Sequence, residues 1–401
     1  ASPTIRVSAT RIETASAILG QARSAFYPVV TASFEALHNQ DLPLAQRLED
    51  PPFETYTAAG AAAWVLFDGF AREFRVLAAE YGEEAQLEAH SDAKRLLMQA
   101  VSQAFNNARL SRENMRIAQQ DAEFNRELTE ETRKRFEAGA AAKSDLLNFR
   151  IRMAEAENRS LAARRESRLS RMVLAELMGI PGGALPEPLS LAEIPEEPRE
   201  HPGLGLEDEL AYALAHRPDL LQLATEVRQQ AALVESERGA YWPEIAVQAA
   251  HGYTRTNGIR FNAESDAFSY AGLTVTWELF SGWRRRYRVA EDRSGLRRAR
   301  AALDERRLAV AASLRRQFEV LRVAREQLHL QKRILDMTEE TRTLVREEYL
   351  AGRASLTRLN EAQTDLVRAS GNLALARIRF HQAVEDIRAL SGRDVERLNA
   401  E

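Results

Sequence analysis

Apolar and small side chains recur at alternating steps of three and four residues along two long stretches of the chain. One stretch spans residues 101–136 and the other spans residues 146–177, with Gly139 between them. This spacing places the positions on one face of a helix and is typical of a coiled-coil seam. Proline is absent between Pro52 and Pro181 and after Pro243, which favours uninterrupted helices. The pattern predicts a helix over about residues 70–138, roughly 100 Å long, which no compact globule could contain.

The sequence then repeats itself. At an offset of 213, four residues after a first strand pair recur after a second: Trp64, Leu66, Phe67 and Gly69 match Trp277, Leu279, Phe280 and Gly282. At an offset of 215, the aromatic-proline entries match: Phe26, Tyr27 and Pro28 correspond to Tyr241, Trp242 and Pro243. A fixed period of this kind indicates two copies of one structural unit.

The duplication predicts the domain organisation. Residues 1–180 form a first repeat of helix, β-hairpin (about 28–67) and helical hairpin with its tip at 139. Residues 181–207 form a proline-rich linker, and residues 208–392 form a second repeat, with a hairpin at about 243–280 and a tip at 352. Residues 393–401 are a C-terminal tail.

Each repeat contains a segment that alternates apolar and polar residues. Leu273, Val275, Trp277 and Leu279 alternate with polar residues, and a fourth, alanine-rich strand is expected at 58–67. The lengths suit membrane strands of about 9 to 11 residues, although a half-buried soluble hairpin gives the same alternation.

Aromatic residues favour the membrane interpretation. Tryptophan and tyrosine collect at membrane interfaces because the ring is apolar at one end and hydrogen-bonds at the other. The candidate interface residues lie at the hairpin ends: Tyr27, Trp64, Phe67, Trp242, Trp277, Phe280 and Trp283. A membrane sheet must close, and small barrels need about eight strands, so four strands require oligomerisation; three protomers would supply twelve.

Composition excludes several classes of function. The net charge is −4, from 55 basic and 59 acidic residues, so no basic field for nucleic acid exists. There is no cysteine, and the seven histidines lack metal-ligand spacing, so neither a metal nor a cofactor is expected. No apolar run long enough for a membrane helix occurs; if the protein is exported, its signal segment is expected to have been removed ahead of Ala1. No nucleophile elbow occurs, so hydrolase chemistry has no support.

The arginine-rich segment 284–288 allows two interpretations. It is either a solvated charge cluster or a periplasmic anchor below the aromatic residues.

Taken in order, these motifs resemble the TolC-like outer-membrane efflux protein family over essentially the whole chain. The resemblance rests on the duplicated aromatic-proline entries, the Trp-Leu-Phe-Gly exits and the two tip motifs, Arg135-Phe136-Glu137-Ala138-Gly139 and Tyr349-Leu350-Ala351-Gly352. It implies a mainly α fold, in which long antiparallel coiled-coil helices form an α-barrel tunnel. Four strands per protomer contribute to a twelve-stranded trimeric β-barrel.

The resemblance also implies a function. Such a protein is a passive exit duct of a tripartite efflux or type I secretion system and not an enzyme. It is set in the outer membrane of a Gram-negative bacterium and extends into the periplasm. Its expected partners are two further copies of itself, a periplasmic adaptor (membrane fusion) protein, an inner-membrane pump of the RND or ABC type, and outer-membrane lipid.

The gate is expected at the tips. The matching tip positions are Gly139, Ser144, Asp145, Tyr349, Gly352, Arg353, Arg358 and Glu361. In the closed state, the Asp145 carboxylate is predicted to accept a hydrogen bond from the Tyr349 hydroxyl. The alternative is that Ser144 or Asp145 simply caps the returning helix. Arg358 and Glu361 stand where the family archetype has two acids, so a strongly acidic ring is not implied.

A second function remains open. A soluble periplasmic coiled-coil scaffold or adaptor would also use the long seams. It would have no use for four amphipathic strands that cannot close alone.

Overall fold

The computed structural model describes residues 2–39, 53–186, 191–195 and 204–394. The first repeat contains α1 (Pro3–Ser24), β1 (Val29–Asn39), β2 (Phe53–Phe67), α2 (Ala71–Glu137) and α3 (Lys143–Leu177). After α4 (Leu206–His216), the second contains α5 (Pro218–Gly239), β3 (Glu244–Thr256), β4 (Ala267–Thr276), α6 (Arg284–Leu350) and α7 (Leu356–Ser391). Both α2 and α6 have 67 residues, as expected from the long proline-free stretches.

The strands form one antiparallel sheet in the order β1-β2-β3-β4. Val29 pairs with Ala63 in the first hairpin, and Glu244 pairs with Thr276 in the second. The hairpins are joined by β2 and β3, for example at Ala62 and Ala249, with an irregularity between Val65 and Phe67. Because side chains alternate along a strand, one face carries Val30, Phe34, Trp64, Val247, Leu273 and Val275 and the other carries Thr31, Glu35, Thr57, Gln248 and Thr274.

Two strand ends differ from the sequence-based expectation. β2 begins at Phe53, well before the alanine-rich 58–67 segment. β4 ends at Thr276, so Trp277 and Leu279 follow the strand instead of lying on it. The reason is local, since the carbonyl of Leu279 accepts a hydrogen bond from the Arg285 guanidinium and not from a neighbouring strand.

The chain divides into two compact units, each built from parts of both repeats. Unit 1 comprises Ala1–Ala9, Ala89–Leu220 and Glu305–Glu401, and unit 2 comprises Thr10–Glu88 and Leu221–Asp304. The repeat boundaries proposed above describe the sequence duplication and stay a prediction.

The core of unit 1 is a seam of four helices. One cluster combines Leu128 of α2, Phe149 of α3, Val345 of α6 and Leu359 of α7. Polar seam residues bond to their own helices, as when the Thr132 hydroxyl donates to the carbonyl of Leu128 at 2.8 Å. Such local bonds let small polar side chains occupy a buried seam without leaving a donor unpaired.

No helix in the described ranges is both long enough and apolar enough to cross a bilayer.

Candidate functional site

Two regions carry the residues singled out by the sequence, and each lies within one unit. In unit 2, a collar of residues lies where the chain passes from the second strand of each hairpin into the next helix. The first collar comprises Trp64, Phe67, Gly69, Phe70 and Arg72. The second collar comprises their equivalents at the offset of 213: Trp277, Phe280, Gly282, Trp283 and Arg285.

Arg72 holds the first collar together. Its guanidinium donates to the backbone carbonyls of Ala25 at 3.1 Å, Val65 at 2.6 Å and Leu66 at 3.1 Å. It also lies 4.9 Å from the ring centroid of Phe26, a cation–π distance. Arg72 therefore ties the end of α1 to the end of β2 at the point where the chain enters α2.

The second collar repeats this arrangement. Arg285 donates to the carbonyls of Ala240 at 3.0 Å and Leu279 at 3.1 Å, and it lies 5.2 Å from the ring centroid of Tyr241. Ala240 and Leu279 are the equivalents of Ala25 and Leu66. A solvated charge cluster is therefore the wrong description of Arg285.

The tryptophans repeat as well. The indole of Trp64 donates to the carbonyl of Phe26 at 2.8 Å, and that of Trp277 donates to the carbonyl of Tyr241 at 3.1 Å. Edge-to-face ring pairs join Phe67 to Phe70 and Phe280 to Trp283, with centroids 5.5 and 5.9 Å apart. The indole N–H of each tryptophan is thus hydrogen-bonded, whereas the apolar part of the ring stays exposed.

The two collars differ in exposure. Arg72 and Gly69 are buried, whereas Arg285 is half-buried and Gly282 is exposed. Large rings of the second collar are uncovered, with Phe280 72% and Trp283 60% exposed. The remaining interface candidates, Tyr27 and Trp242, are also exposed. Their placement at a membrane interface stays a prediction.

In unit 1, both helical tips end in the same backbone motif. Gly139 and Gly352 have φ of 74° and 71°, which favours glycine. At the first tip, the amide of Gly139 donates to the carbonyl of Phe136 and that of Ala140 donates to the carbonyl of Arg135. At the second, Gly352 donates to Tyr349, and Arg353 donates to Glu348. Both are Schellman motifs, which explains the glycine at each reversal.

Tyr349 packs into its own protomer. Its ring contacts Phe149 edge-on, with centroids 6.2 Å apart, and the Arg135 guanidinium lies 5.7 Å from its centroid. Burial raises the pKa of the Tyr349 hydroxyl, against an opposing hydrogen bond from the Thr132 side chain. The charge of Asp145 also raises it, although no hydrogen bond joins Asp145 to Tyr349 in the described part of the chain. A bond between them in a closed assembly stays a prediction.

The capping alternative for Ser144 and Asp145 is wrong. The N-cap of α3 is Ala142, which has no side-chain cap bond, and the helix begins at Lys143. Asp145 therefore lies in the first turn, where a carboxylate is favoured by the helix dipole. At the second tip, capping does occur: the Ser355 hydroxyl accepts from the Arg358 amide at 3.3 Å.

The other tip candidates form an exposed rim. The Arg358 guanidinium donates to the Glu348 carboxylate at 3.1 Å. Ser144, Gly352, Arg353 and Glu361 are exposed. Mixed charge at this rim agrees with the absence of two acids at positions 358 and 361.

Sequence reasoning missed Asp121. This carboxylate, 4% exposed, accepts from Arg159 of α3 at 2.9 Å, Gln363 of α7 at 3.0 Å and Asn125 of its own helix at 3.1 Å. It joins three helices below the tips. The seam contained Asn125 and hinted at buried polarity, but nothing local pointed to Gln363, which is 242 residues away.

In the described residues, no group of three or more His, Asp or Glu side chains could hold a metal ion.

Comparison with known proteins relates most of the chain to one family. Residues 1–180 and 210–393 match the family described as outer membrane efflux protein. Protein CyaE of Bordetella pertussis is 26% identical over 377 residues, which cover 92% of this chain and 76% of that protein.

Solved structures agree in fold. The outer membrane channel CmeC of Campylobacter jejuni has a TM-score of 0.80 at 15% identity, covering 98% of this chain and 83% of that chain. The open state of the outer membrane channel MtrE of Neisseria gonorrhoeae has a TM-score of 0.79 at 17% identity, covering 98% and 86%. The predicted fold class, mainly α with strands for a membrane β-barrel, is confirmed.

Proposed function

The chain belongs to the outer membrane efflux protein family, and we propose that it is the exit duct of a tripartite efflux or type I secretion system. Members of the family are outer-membrane channels, passive and not enzymes, as the sequence predicted. The proposed duct is a homotrimer whose twelve strands close a barrel in the outer membrane of a Gram-negative bacterium. Its helices extend into the periplasm.

The observation that carries this proposal is the paired collar. Both hairpins leave the sheet through the same tryptophan bond, the same ring pair and the same arginine clamp. The repetition places two aromatic-rich exits at equivalent positions of one sheet. Aromatic rings with one fixed polar atom suit the boundary between lipid and water. A soluble scaffold would not need them twice.

The proposed gate is the pair of tips. The tips would contact a periplasmic adaptor, and through it an RND or ABC pump in the inner membrane. Asp145 and Tyr349 lie close enough for the carboxylate charge to affect the phenol. We propose that closure brings the two groups, from one or two protomers, into hydrogen-bond contact.

Native mass spectrometry of detergent-purified protein, combined with planar-bilayer conductance, tests this function. We expect a trimer with low basal conductance. Tyr349→Phe and Asp145→Ala should each raise it, because the first removes the donor and the second removes the acceptor of the closing bond. Asp365→Ala, which removes an exposed carboxylate away from the tips, serves as the control. A water-soluble monomer or dimer without conductance would instead support the scaffold.

A further inference from the structure

The sheet of one protomer has two edges, β1 and β4, that the described strands leave unpaired. An open edge exposes a row of backbone donors and acceptors, and in lipid each unpaired group costs several kcal/mol. Something must therefore pair with both edges. In the proposed trimer the neighbouring protomers supply the partner strands, and the internal duplication indicates their register.

The duplication relates the two hairpins residue by residue. Adding 215 to a β1 residue and 213 to its β2 partner gives a pair that the second hairpin contains. Val29 with Ala63 becomes Glu244 with Thr276, and Ala36 with Tyr56 becomes His251 with Ser269. The two sequence offsets therefore map the strand pairing of the first hairpin onto that of the second.

The same operation applies to the junction between β2 and β3. Adding 213 to a β2 residue gives its equivalent in β4. Subtracting 215 from a β3 residue gives its equivalent in β1, which here belongs to a second copy of the chain. Closure of the proposed twelve-stranded barrel already requires β4 of one protomer to pair with β1 of the next; we propose that this pairing has the register that the conversion dictates. Ala62 with Ala249 becomes Val275 opposite the partner's Phe34. This inference rests on the proposed trimer and adds the register of its seam.

The chemistry of the resulting pairs supports the register. Val275 lies opposite the partner's Phe34 on one face, and Thr274 lies opposite the partner's Glu35 on the other. Val275 is 58% exposed and Phe34 is 65% exposed in the isolated protomer, so both are free to pair. A slip of one residue would place Val275 opposite a polar residue and reverse the faces.

Glycine positions agree with the same register. Between β2 and β3, Gly252 lies opposite Ala59, and a Cβ on Gly252 would lie 2.7 Å from that of Ala59. The converted pair is Gly272 opposite the partner's Leu37. Each pair thus contains one glycine, on β3 within the protomer and on β4 in the converted pair. A Cβ on Gly272 would meet no atom within 4 Å. Leu37 therefore has room.

The collars extend the seam beyond the strands. A Cβ on Gly69 would lie 2.4 Å from the carbonyl oxygen of Gly239 and 2.7 Å from the Cβ of Trp242. Gly282 has the same left-handed φ, yet a Cβ there would meet nothing within 4 Å. The conversion places the partner's Tyr27, the equivalent of Trp242, over Gly282. The uncovered rings of the second collar then become an interface.

One contact must differ between the two seams. A Cβ on Gly239 would lie 2.8 Å from that of Ala71, so the junction within the protomer needs a glycine. In the converted seam, the partner's Ser24 takes the place of Gly239, and Arg284 of the first protomer takes the place of Ala71. Both have side chains, so the neighbouring helices must stand further apart there than α5 stands from α2.

Cysteine cross-linking of the full-length trimer tests the register, since the chain has no cysteine of its own. The test variants are Phe34→Cys/Val275→Cys and Glu35→Cys/Thr274→Cys. Successive pairs in an antiparallel ladder alternate between the hydrogen-bonded and the non-hydrogen-bonded type. The two test variants therefore sample one pair of each type. Within a protomer, β1 and β4 are three strand spacings apart, about 14 Å, too far for a disulfide.

The matched control is Phe34→Cys/Leu273→Cys, which keeps the same face and shifts the register by two residues. We expect oxidation to convert the two test variants into covalent trimers, with several-fold less product from the control. More cross-linking in the control overturns the register, and cross-linking in none of them overturns the edge pairing. Native mass spectrometry of the unmodified and single-cysteine proteins separates these results from failure of the proposed function, in which no trimer forms at all.

Discussion

Loss of the buried Asp121 carboxylate should destabilise unit 1 measurably, because three side chains donate to it. Asp121→Leu removes the acceptor of Gln363 and of the exposed Arg159. Arg159, 54% exposed, returns to water and contributes about 0–1 kcal/mol. The Gln363 amide is buried and loses its partner, at about 1–3 kcal/mol, and Asn125 loses one of two bonds, at about 1 kcal/mol. We expect a loss of about 3 kcal/mol.

A double-mutant cycle distinguishes this explanation from simple loss of packing. The Oε1 atom of Gln363 is already buried without a partner, so Gln363→Leu removes an unpaired acceptor together with the donor. The Asp121→Leu variant leaves the Gln363 amide unpaired, and the double variant Asp121→Leu/Gln363→Leu lacks that amide. We therefore expect the double variant to be more stable than the sum of the single effects by about 1–2 kcal/mol.

Urea unfolding followed by circular dichroism provides the free energies for the cycle. The exposed Asp365→Leu is the control for removal of a carboxylate, and its effect should stay within about 0.5 kcal/mol. Additive single effects, or an Asp121→Leu loss as small as that of Asp365→Leu, would refute the reasoning.

Three further perturbations have expected outcomes. Arg72→Met should cost about 3–5 kcal/mol in thermal unfolding, because three backbone carbonyls lose a charged donor whose side chain is buried, whereas the exposed Arg288→Met should have little effect. Gly352→Ala should cost about 1–2 kcal/mol in urea because its φ is positive, while Gly371→Ala, in α7 with open space around it, should stabilise by about 0.5–1 kcal/mol. Burial lowers the pKa of His90, so the unfolded chain binds more protons; stability is full above the unfolded pKa and falls as pH drops through the folded pKa. His90→Gln should flatten the fall in melting temperature between about pH 8 and about pH 5, and an unchanged slope would contradict this.

The sequence by itself determined the features that depend on neighbours along the chain. Helix length followed from heptad spacing and the absence of proline, and the tips followed from a glycine that a left-handed reversal requires. The repeat offsets of 215 and 213 were also visible in the sequence, and they turned out to describe the pairing of the strands.

Only the tertiary structure decided which distant groups meet. Arg72 bonds to Ala25, 47 residues away, and Asp121 bonds to Gln363, 242 residues away. At the tips, Ser144 fitted a cap by residue type, yet Ala142 occupies the N-cap, while Ser355 does cap its helix. Periodicity indicates that a face is buried, but it does not indicate which side chain of another helix lies opposite. That choice depends on how the elements within each unit pack, and no local pattern encodes it.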